Sequence, residues 1–540
     1  MNHYETNLDK NNANFVPLTP LSFLERAKDI YPNYEALVYE NKSYTWNDIY
    51  KRCIKFASAL EKIGIGEGDT VSVMAFNTPE IFEAHYSVPM TGAILNTINT
   101  RLDAKTVAYI LDHSEAKVLI IDRQLHTVIE KALTQIKKKP LIIDIQDNFA
   151  DQSLLKKIGD KEYEDFLNTG DENYIWKRPK DEWQSLSLSY TSGTTGNPKG
   201  VVLSHANLLA DSKAISNWFK YQKSTVTLCI LPLFHNNGQV TTLLSPLYSG
   251  GSTVIVKSKS SLLAFWTLVS DYGINWTSVM ASILSIILSL PYDRKDKTLS
   301  GILCGGQVLT RSVQSTFEKR FEVPIFEGYG LTETTSFSCI NDYPSEKRKL
   351  GSIGRPLSCN KMCIMDQKGN ILGPNQEGEI CIRGANVAIE YLGLETNNID
   401  SFREGWFHSG DYGYVDEEGY FFFQGRKDSL IIKGGENIYP AEVENIIYKH
   451  PEVEECAVIG VPDKLLGEEI FAFVKCKKEK ISNYEIINFC KGKLAPFKCP
   501  KSVVMINDLS NLDEIPKGPT KKILYRDLRK YYNSYLNISK

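Results

Sequence analysis

Two hydrophobic patterns alternate in the first part of the chain. Apolar positions with helical spacing in SFLERAKDIY and TWNDIYKRCIKFASALEKIG predict two amphipathic helices, the second ending at a glycine. Short apolar runs in DTVSVMAF, AKVLIID and KPLIIDI predict strands buried on both faces. Helices and strands that alternate in this way predict an α/β fold with layered, mainly parallel sheets.

The pattern changes twice towards the C-terminus. From about Gly351 to Gly425, glycine-separated runs such as GEICIRG and GYVDEEGYFFFQGR predict short antiparallel strands and a β-rich subdomain. The remaining sequence predicts a small α+β domain. We therefore predict a large N-terminal domain over residues 1–427 and a small C-terminal domain over 428–540, with the boundary between Gly425 and Ser429.

Composition and charge exclude several classes of protein. The 540 residues carry a formal net charge of -3 and no long basic block, so we expect no nucleic-acid partner. The first residues are polar and lack the apolar core of a signal peptide. The most apolar run, SILSIILSL, is about half the roughly 20 residues that cross a bilayer. Eleven cysteines without a C-x-x-C pair predict free thiols in a reducing cytoplasm.

The stretch SLSYTSGTTGNPKG combines hydroxyls, glycines and one lysine, a composition suited to holding a phosphate. It does not match a P-loop, because Lys199 follows Pro198 and precedes Gly200 rather than Ser or Thr. The flanking runs SLSLSY and GVVLSH both predict strands, so the loop joins two strands. The density of hydroxyls exceeds what a plain hairpin turn requires.

Five further segments occur in order along the chain: LPLFHNNG, GGQVL, EGYGLTET, WFHSGDYG with GRKDSLIIKGGENIYP, and PKGPTKKIL. Together with YTSGTTGNPKG they resemble the signature segments of the adenylate-forming (AMP-binding) enzymes, of the acyl-CoA synthetase type. The stretch NTPEIFEAHYSVPMTGAILNTINTRL looks most like the medium-chain acyl-CoA synthetase branch. The resemblance runs from about residue 20 to the C-terminus.

The resemblance implies that ATP activates a carboxylic acid as an acyl-adenylate, which a thiol then attacks. It implies a nucleotide site made of Thr191, Ser192, Gly193, Thr194, Thr195, Gly196, Lys199, Gly305, Gly306, Gln307, Glu327, Gly328, Tyr329, Gly330, Thr332, Asp411, Arg426 and Lys522. Both chemical steps develop negative charge on phosphate oxygens, so positioning and electrostatics would dominate catalysis.

Particular roles follow from the same resemblance. Tyr329 would stack on adenine, Thr332 would contact the α-phosphate, and Glu333 would hold Mg²⁺. Asp411, which the flanking glycines predict to lie in a turn, would bind the ribose hydroxyls with help from Arg426. Each segment alone could be an ordinary turn, and their common order favours a site.

An acyl pocket is expected around LPLFHNNG, where His235 would gate the substrate beside Asn236 and Gly238, next to a helix predicted over SVMASIL. A lone histidine beside aromatic residues is often only a core residue. Amino-acid-activating relatives carry an aspartate near this position, and FHNNG has none, which argues against an amino-acid substrate.

The C-terminal domain would move between two catalytic poses about a hinge at Asp428. Lys522 matches the family's adenylation lysine, although Lys521 replaces the usual preceding glycine and leaves open which lysine acts. Coenzyme A would pass along the segment Lys433, Gly434, Gly435 and Glu436.

The sequence thus favours a cytoplasmic acyl-CoA synthetase for a short- or medium-chain or aromatic acid, using ATP, Mg²⁺ and CoA. A carrier-protein loading enzyme is the alternative, and a nucleotide-binding protein with impaired catalysis is a remote one. A luciferase-like oxygenase has no support in the sequence. The partners are then the small carboxylic acid and CoA, and the oligomeric state stays open.

Overall fold

A computed structural model describes most of the chain. The described residues are 9–11, 13–191, 197–257, 259–294, 297–434, 436–463, 465–477, 481–509, 512–518 and 523–538. Within them, three sheets with their helices make up the large N-terminal region, and a smaller sheet with three helices follows. The predicted α/β fold with a β-rich subdomain and a small α+β domain is confirmed.

Residues 21–204 alternate helices and strands as the periodicity predicts. The order is α1 (Leu21–Ile30), β1 (Glu35–Tyr39), β2 (Lys42–Thr45), α2 (Trp46–Lys62), β3 (Thr70–Met74), α3 (Pro79–Ser87), β4 (Ile94–Thr97), α4 (Ala104–His113), β5 (Ala116–Asp122), α5 (His126–Leu133), β6 (Leu141–Ile145), β7 (Lys161–Glu162), α6 (Tyr163–Leu167), β8 (Ser185–Thr191) and β9 (Lys199–Ser204). Helix α2 begins with a capping box, in which the Thr45 hydroxyl accepts from the Asp48 amide and the Asp48 carboxylate accepts from the Thr45 amide.

Alternation continues to residue 356 and then gives way to antiparallel strands. The first set is α7 (His205–Trp218), β10 (Val226–Cys229), α8 (Ser245–Tyr248), β11 (Ser252–Ile255), α9 (Phe265–Asp271), β12 (Trp276–Val279), α10 (Ala281–Ser289), β13 (Gly301–Cys304), α11 (Arg311–Phe321), β14 (Ile325–Tyr329), β15 (Cys339–Ile340) and β16 (Arg355–Pro356). The second set is β17 (Asn360–Met365), β18 (Gly378–Gly384), β19 (Glu390–Tyr391), α12 (Glu395–Ser401), β20 (Phe402–Arg403), β21 (Trp406–Val415) and β22 (Phe421–Arg426).

Two large sheets build the N-terminal region. The first sheet has the order β16-β15-β14-β13-β12-β10-β11-β1-β2, and its pairs from β14 to β1 are parallel. The second sheet has the order β19-β9-β8-β4-β3-β5-β6-β7, parallel from β8 to β7. The largest apolar core draws residues from both sheets, including Leu37 and Phe326 of the first and Val71 and Leu95 of the second.

A third, antiparallel sheet joins β17, β18, β21 and β20 in that order, with β22 paired to β21. The C-terminal elements are β23 (Ile431–Lys433), β24 (Glu436–Ile438), α13 (Pro440–Ile447), β25 (Val453–Asp463), β26 (Gly467–Cys476), α14 (Asn483–Cys490), β27 (Ser502–Met505) and α15 (Tyr525–Ile538). Their strands form a sheet of order β24-β23-β26-β25, with β27 on β26, and this sheet has an apolar core of its own.

One predicted element is wrong in part. The helix expected over SVMASIL begins only at Ala281, whereas Ser278 and Val279 belong to β12. Both residues pair in parallel with β13, opposite Leu303 and Cys304, so ladder hydrogen bonds override the local sequence preference. Among the described residues, no helix is both long and apolar enough to cross a membrane.

Candidate active site

The ends of parallel strands bring many of the predicted site residues to one edge of the first sheet. Strands β14, β13, β12 and β10 are neighbours and run in the same direction. Their carboxyl ends lead into the segments after Tyr329, Cys304, Val279 and Cys229. Open α/β sheets bind ligands at this edge. EGYGLTET, GGQVL and LPLFHNNG therefore meet although they lie up to about 100 residues apart.

The two ends of the predicted phosphate loop lie side by side in the second sheet. Thr191 ends β8 and pairs with Lys199, the first residue of the antiparallel strand β9. The Lys199 ammonium lies 4.8 Å from the centroid of the Tyr391 ring, which gives a cation–π contact. The predicted residues between these strands, Ser192, Gly193, Thr194, Thr195 and Gly196, lie outside the described residues.

Glu333 is fixed from the second sheet although it follows a strand of the first. Its Oε1 accepts a 2.8 Å hydrogen bond from the Tyr391 hydroxyl, and its carbonyl accepts from the Ala388 amide at 2.8 Å. Tyr391 lies on β19, which pairs with β9. One tyrosine thus contacts both the carboxylate predicted to hold Mg²⁺ and the lysine predicted to contact phosphate.

The Glu333 carboxylate suits a magnesium ion. Mg²⁺ prefers carboxylate oxygen and keeps water and phosphate as its other ligands. The carboxylate is half-buried, and its Oε2 accepts no hydrogen bond from any residue that the structure describes. One oxygen is therefore held by Tyr391 while the other can face a cation.

The turn after β14 is so tight that one position must be glycine. A Cβ on Gly330 would lie 1.6 Å from the Ser336 carbonyl oxygen. Thr335 has a φ of +67°, which is strained for a threonine, and its hydroxyl donates to the Asn386 carbonyl at 2.7 Å. This turn contains Thr332 and Glu333 and returns the chain to β15.

Asp211 lies on helix α7, close to the Ser336 and Phe337 amides of the same turn. Burial raises the pKa of its carboxyl well above the usual value, and these amides act in the opposite direction. Asp211 is not among the residues predicted from the sequence, because an aspartate in a helix gives no sign of a neighbour more than 100 residues away.

Asp411 and Tyr329 join the first and third sheets. The Tyr329 hydroxyl donates to Asp411 Oδ2 at 2.6 Å, and Arg426 Nε lies 3.1 Å from Oδ1. Asp411 is not in a turn as predicted: it belongs to β21 and pairs directly with Arg426 on β22. The backbone is irregular at Gly410, whose φ is +70°, and strand β21 continues through this residue. The predicted partnership of Asp411 and Arg426 agrees with this geometry.

Phe337 packs against two of the remaining residues of the predicted nucleotide segments. A Cβ on Gly305 would come within 2.5 Å of the Phe337 ring, and one on Gly328 within 2.7 Å, so this aromatic fills the space that both glycines leave. Burial raises the pKa of Glu327 to about 8. Gly306 has a φ of +79°, and Gln307 Oε1 accepts from the Ser282 amide at the start of α10.

Residues that follow β3 hold the segment that carries His235. Asn77 donates through Nδ2 to the Leu231 carbonyl at 3.0 Å and accepts through Oδ1 from the Leu233 amide at 2.8 Å. The buried His85 ring contacts the Leu233 carbonyl through Nε2 at 3.1 Å. These contacts fix the backbone just before His235, whose side chain is half-buried.

A π-helix over Asn237–Leu244 follows His235. Helical segments of this kind are rare and occur often at functional sites. Gly238 has no room for a side chain, because a Cβ would lie 2.6 Å from the Pro232 carbonyl oxygen. Asn236 accepts a hydrogen bond from Ser189 of β8 at 3.2 Å, while its buried Nδ2 has no partner among the described residues. A polar donor is thus left over in the predicted acyl pocket.

The predicted coenzyme A residues lie at the turn between β23 and β24. Lys433 forms an ion pair with Glu469 of β26, and Gly434 has a φ of +61°. Glu436 is exposed. Gly435 and Lys522 lie outside the described residues. Asp428, the predicted hinge residue, belongs to a single helical turn, Lys427–Ser429, directly after β22.

The chain belongs to the AMP-binding enzyme family. The family model for AMP-binding enzymes matches residues 24–392, and the model for the AMP-binding enzyme C-terminal domain matches residues 442–514.

The chain is similar along nearly its whole length to plant acid–CoA ligases. An acetate–CoA ligase of Humulus lupulus is 37% identical over 555 residues, covering 97% of this chain and 96% of the ligase. A peroxisomal trans-cinnamate:CoA ligase of Petunia hybrida is 34% identical, covering 98% and 97%. The o-succinylbenzoate coenzyme A synthetase of Bacillus subtilis, solved with ATP and a magnesium ion, superposes with a TM-score of 0.82 at 27% identity, covering 94% of this chain and 98% of that one.

We predict that Tyr391→Phe weakens Mg²⁺-dependent ATP binding about tenfold, because Glu333 loses a charged hydrogen bond worth about 1.5 kcal/mol. The ring beneath Lys199 is kept. The affinity of MgATP measured by calorimetry checks this. Tyr420→Phe is the matched control, since it removes a tyrosine–carboxylate hydrogen bond to Asp342 elsewhere. Equal MgATP affinity in the Tyr391 variant and its parent would contradict the role of this hydroxyl.

We also predict that Gly330→Ala lowers ATP affinity about 100-fold or more, because the new Cβ must displace the Ser336 carbonyl and with it Thr332 and Glu333. Gly273→Ala is the control: its φ is also positive, at +60°, and the space around it is open. That variant should lose about 1 kcal/mol of stability and no ATP affinity. Parent-like ATP affinity in Gly330→Ala would show that the turn can be rebuilt without harm.

Proposed function

We propose that this protein is an ATP-dependent acid–CoA ligase. It activates a short- or medium-chain or aromatic carboxylic acid as an acyl-adenylate and transfers the acyl group to the CoA thiol, releasing AMP and pyrophosphate. The observation that carries the proposal is the convergence of Asp411, Glu333 and Lys199 around the end of β14, in a chain of the AMP-binding family.

In the first step a carboxylate oxygen attacks the α-phosphorus of ATP, and the bond to the bridging oxygen breaks so that pyrophosphate leaves. Asp411 binds the two ribose hydroxyls, and its bond to Tyr329 keeps the carboxylate oriented beside the adenine site. Lys199 offsets the charge on the leaving pyrophosphate, Thr332 donates to the α-phosphate, and Lys522 bridges that phosphate and the acid. These contacts matter most as charge builds up on the phosphate oxygens.

Magnesium, when bound, neutralises the phosphate charge and draws the phosphates into one conformation. Glu333 is the residue that would hold it, with Tyr391 fixing the other carboxylate oxygen. The glycine turn at Gly330 places Glu333 and Thr332 together, so the residue that would hold the cation and the residue that would contact the α-phosphate lie at the same end of β14.

In the second step the CoA thiol attacks the acyl carbonyl, loses its proton and expels AMP. AMP is a far better leaving group than the oxide of the free acid. We propose that the domain of residues 428–540 turns about Asp428 between the two steps. Lys433, Gly434, Gly435 and Glu436 then line the path of the pantetheine arm.

The range of acids rests on His235, Asn236 and Gly238 and on the relatives. Similar plant proteins are named for substrates as different as acetate and trans-cinnamate. The spare Nδ2 of Asn236 offers one hydrogen-bond donor to a polar group of the acid. The eleven cysteines form no disulfide, and a cytoplasmic site of action is consistent with that.

The first test is ATP–pyrophosphate exchange over a panel of aliphatic and aryl carboxylic acids, with AMP release measured with and without CoA. We expect at least one acid to support exchange and CoA to accelerate AMP release. Exchange without a response to CoA would instead indicate a carrier-protein acceptor. No exchange with any acid would contradict the proposed adenylation and favour a nucleotide-binding protein without catalysis.

A second test separates the two half-reactions. Lys522→Ala should abolish acid-dependent exchange, because the cation that pairs acid and α-phosphate is lost, yet it should still convert supplied acyl-adenylate and CoA to thioester. Lys521→Ala is the matched control and should keep exchange. If Lys521→Ala loses exchange and Lys522→Ala keeps it, the adenylation lysine is the other member of the pair.

A further inference from the structure

Three side chains that the proposed reaction does not use lie together in the third sheet. Glu379 and Cys381 are on β18, and His408 is on the neighbouring strand β21. All three residues are buried. His408 belongs to the WFHSGDYG segment, three residues before Asp411, so it adjoins the nucleotide site without belonging to it.

The geometry points to a metal site: we propose that Glu379, Cys381 and His408 bind a thiophilic divalent cation such as Zn²⁺. One ligand atom from each residue lies within 4.8 Å of the others. Sulfur, imidazole nitrogen and carboxylate oxygen are the three ligand types that zinc takes in proteins.

The distances between ligand atoms fit a tetrahedral ion. His408 Nδ1 lies 3.4 Å from Cys381 Sγ and 3.1 Å from Glu379 Oε2. Zinc bonds of 2.0–2.3 Å at tetrahedral angles place neighbouring ligand atoms about 3.3–3.6 Å apart. Only small shifts are therefore needed for the three atoms to surround an ion, and a water molecule would complete the fourth position.

The surroundings of the ligands leave room for these shifts. His408 Nε2 is buried and has no hydrogen-bond partner among the described residues, so no second polar contact opposes a small rotation of the ring. Arg403, whose side chain is 43% exposed, lies 3.8 Å from Glu379 Oε2. Its guanidinium balances the carboxylate when no ion is bound and must move away when a divalent cation takes its place.

Charge and protons balance on binding. The thiol of Cys381 loses its proton to solvent, and the resulting thiolate and the Glu379 carboxylate together neutralise the two charges of the cation.

The bound ion would stiffen the strand that carries the ribose-binding carboxylate. Glu379 Oε1 accepts from the Gly410 amide at 2.9 Å, and the Ser409 hydroxyl donates to Ile380 at 2.6 Å and accepts from the Asp411 amide at 3.0 Å. Two of these are side-chain hydrogen bonds between β18 and β21, and a bound ion would add a third link between the same strands next to Asp411. Metal binding should therefore raise the thermal unfolding midpoint of the protein.

The test is cobalt and zinc titration of the full chain after chelator treatment. We expect a thiolate-to-cobalt charge-transfer band that saturates at one Co²⁺ per chain and disappears on addition of Zn²⁺. Cys381→Ser should lose the band. Cys363→Ser should keep it, because Cys363 is the buried cross-strand neighbour of Cys381 on β17 and is not a ligand.

X-ray absorption of the zinc-loaded parent gives a second reading that needs no variant. One sulfur at about 2.3 Å with nitrogen or oxygen at about 2.0–2.2 Å is expected. No charge-transfer band in the folded parent, or a band that survives Cys381→Ser, would overturn the site. A zinc shell with two or more sulfurs would likewise place the metal elsewhere.

Discussion

The hydrogen bond from the Tyr329 hydroxyl to the Asp411 carboxylate is the contact on which the candidate site depends. Tyr329 ends the last parallel strand of the first sheet, and Asp411 lies in the middle of the third sheet. Losing this bond would take a partner from the buried Tyr329 hydroxyl and leave the Asp411 carboxylate with Arg426, and breaking a buried hydrogen bond costs more than breaking an exposed one. In the proposed nucleotide site, this bond fixes Tyr329, the residue predicted to contact adenine, relative to Asp411, the residue predicted to bind ribose.

A second tyrosine, Tyr391, connects residues at the predicted phosphate side of the site. Tyr391 belongs to the second sheet, donates to Glu333 and lies beside Lys199. The three sheets are thus tied at one place by two phenol groups, each of which pairs with a carboxylate. A tyrosine suits this task because its ring packs as an apolar group while its hydroxyl reaches a polar partner.

Much of this could be predicted from the sequence, and the exceptions have physical causes. Apolar runs correctly predicted the buried strands β3, β5 and β6. Parallel strands that are covered on both faces are apolar at consecutive positions, so they stand out in the sequence as continuous apolar runs. Asp411 was expected in a turn because glycines flank it, yet pairing with β22 keeps it in a strand. Neither Tyr391 nor Asp211 could be found from the sequence, since Glu333 and Cys359, their respective partners, lie 58 and 148 residues away and no local spacing encodes such contacts.

Asn77 has a consequence for how substrate preference can change within such a scaffold. Its side chain and His85 fix the backbone before His235 through the Leu231 and Leu233 peptide groups. In the proposed acyl pocket, these three hydrogen bonds oppose any lengthening or outward movement of the segment that would admit a larger molecule. Diversification by mutation must therefore proceed by exchanging side chains on an unchanged backbone. Directed-evolution libraries aimed at new acids should therefore vary the side chains of this segment rather than insert residues into it.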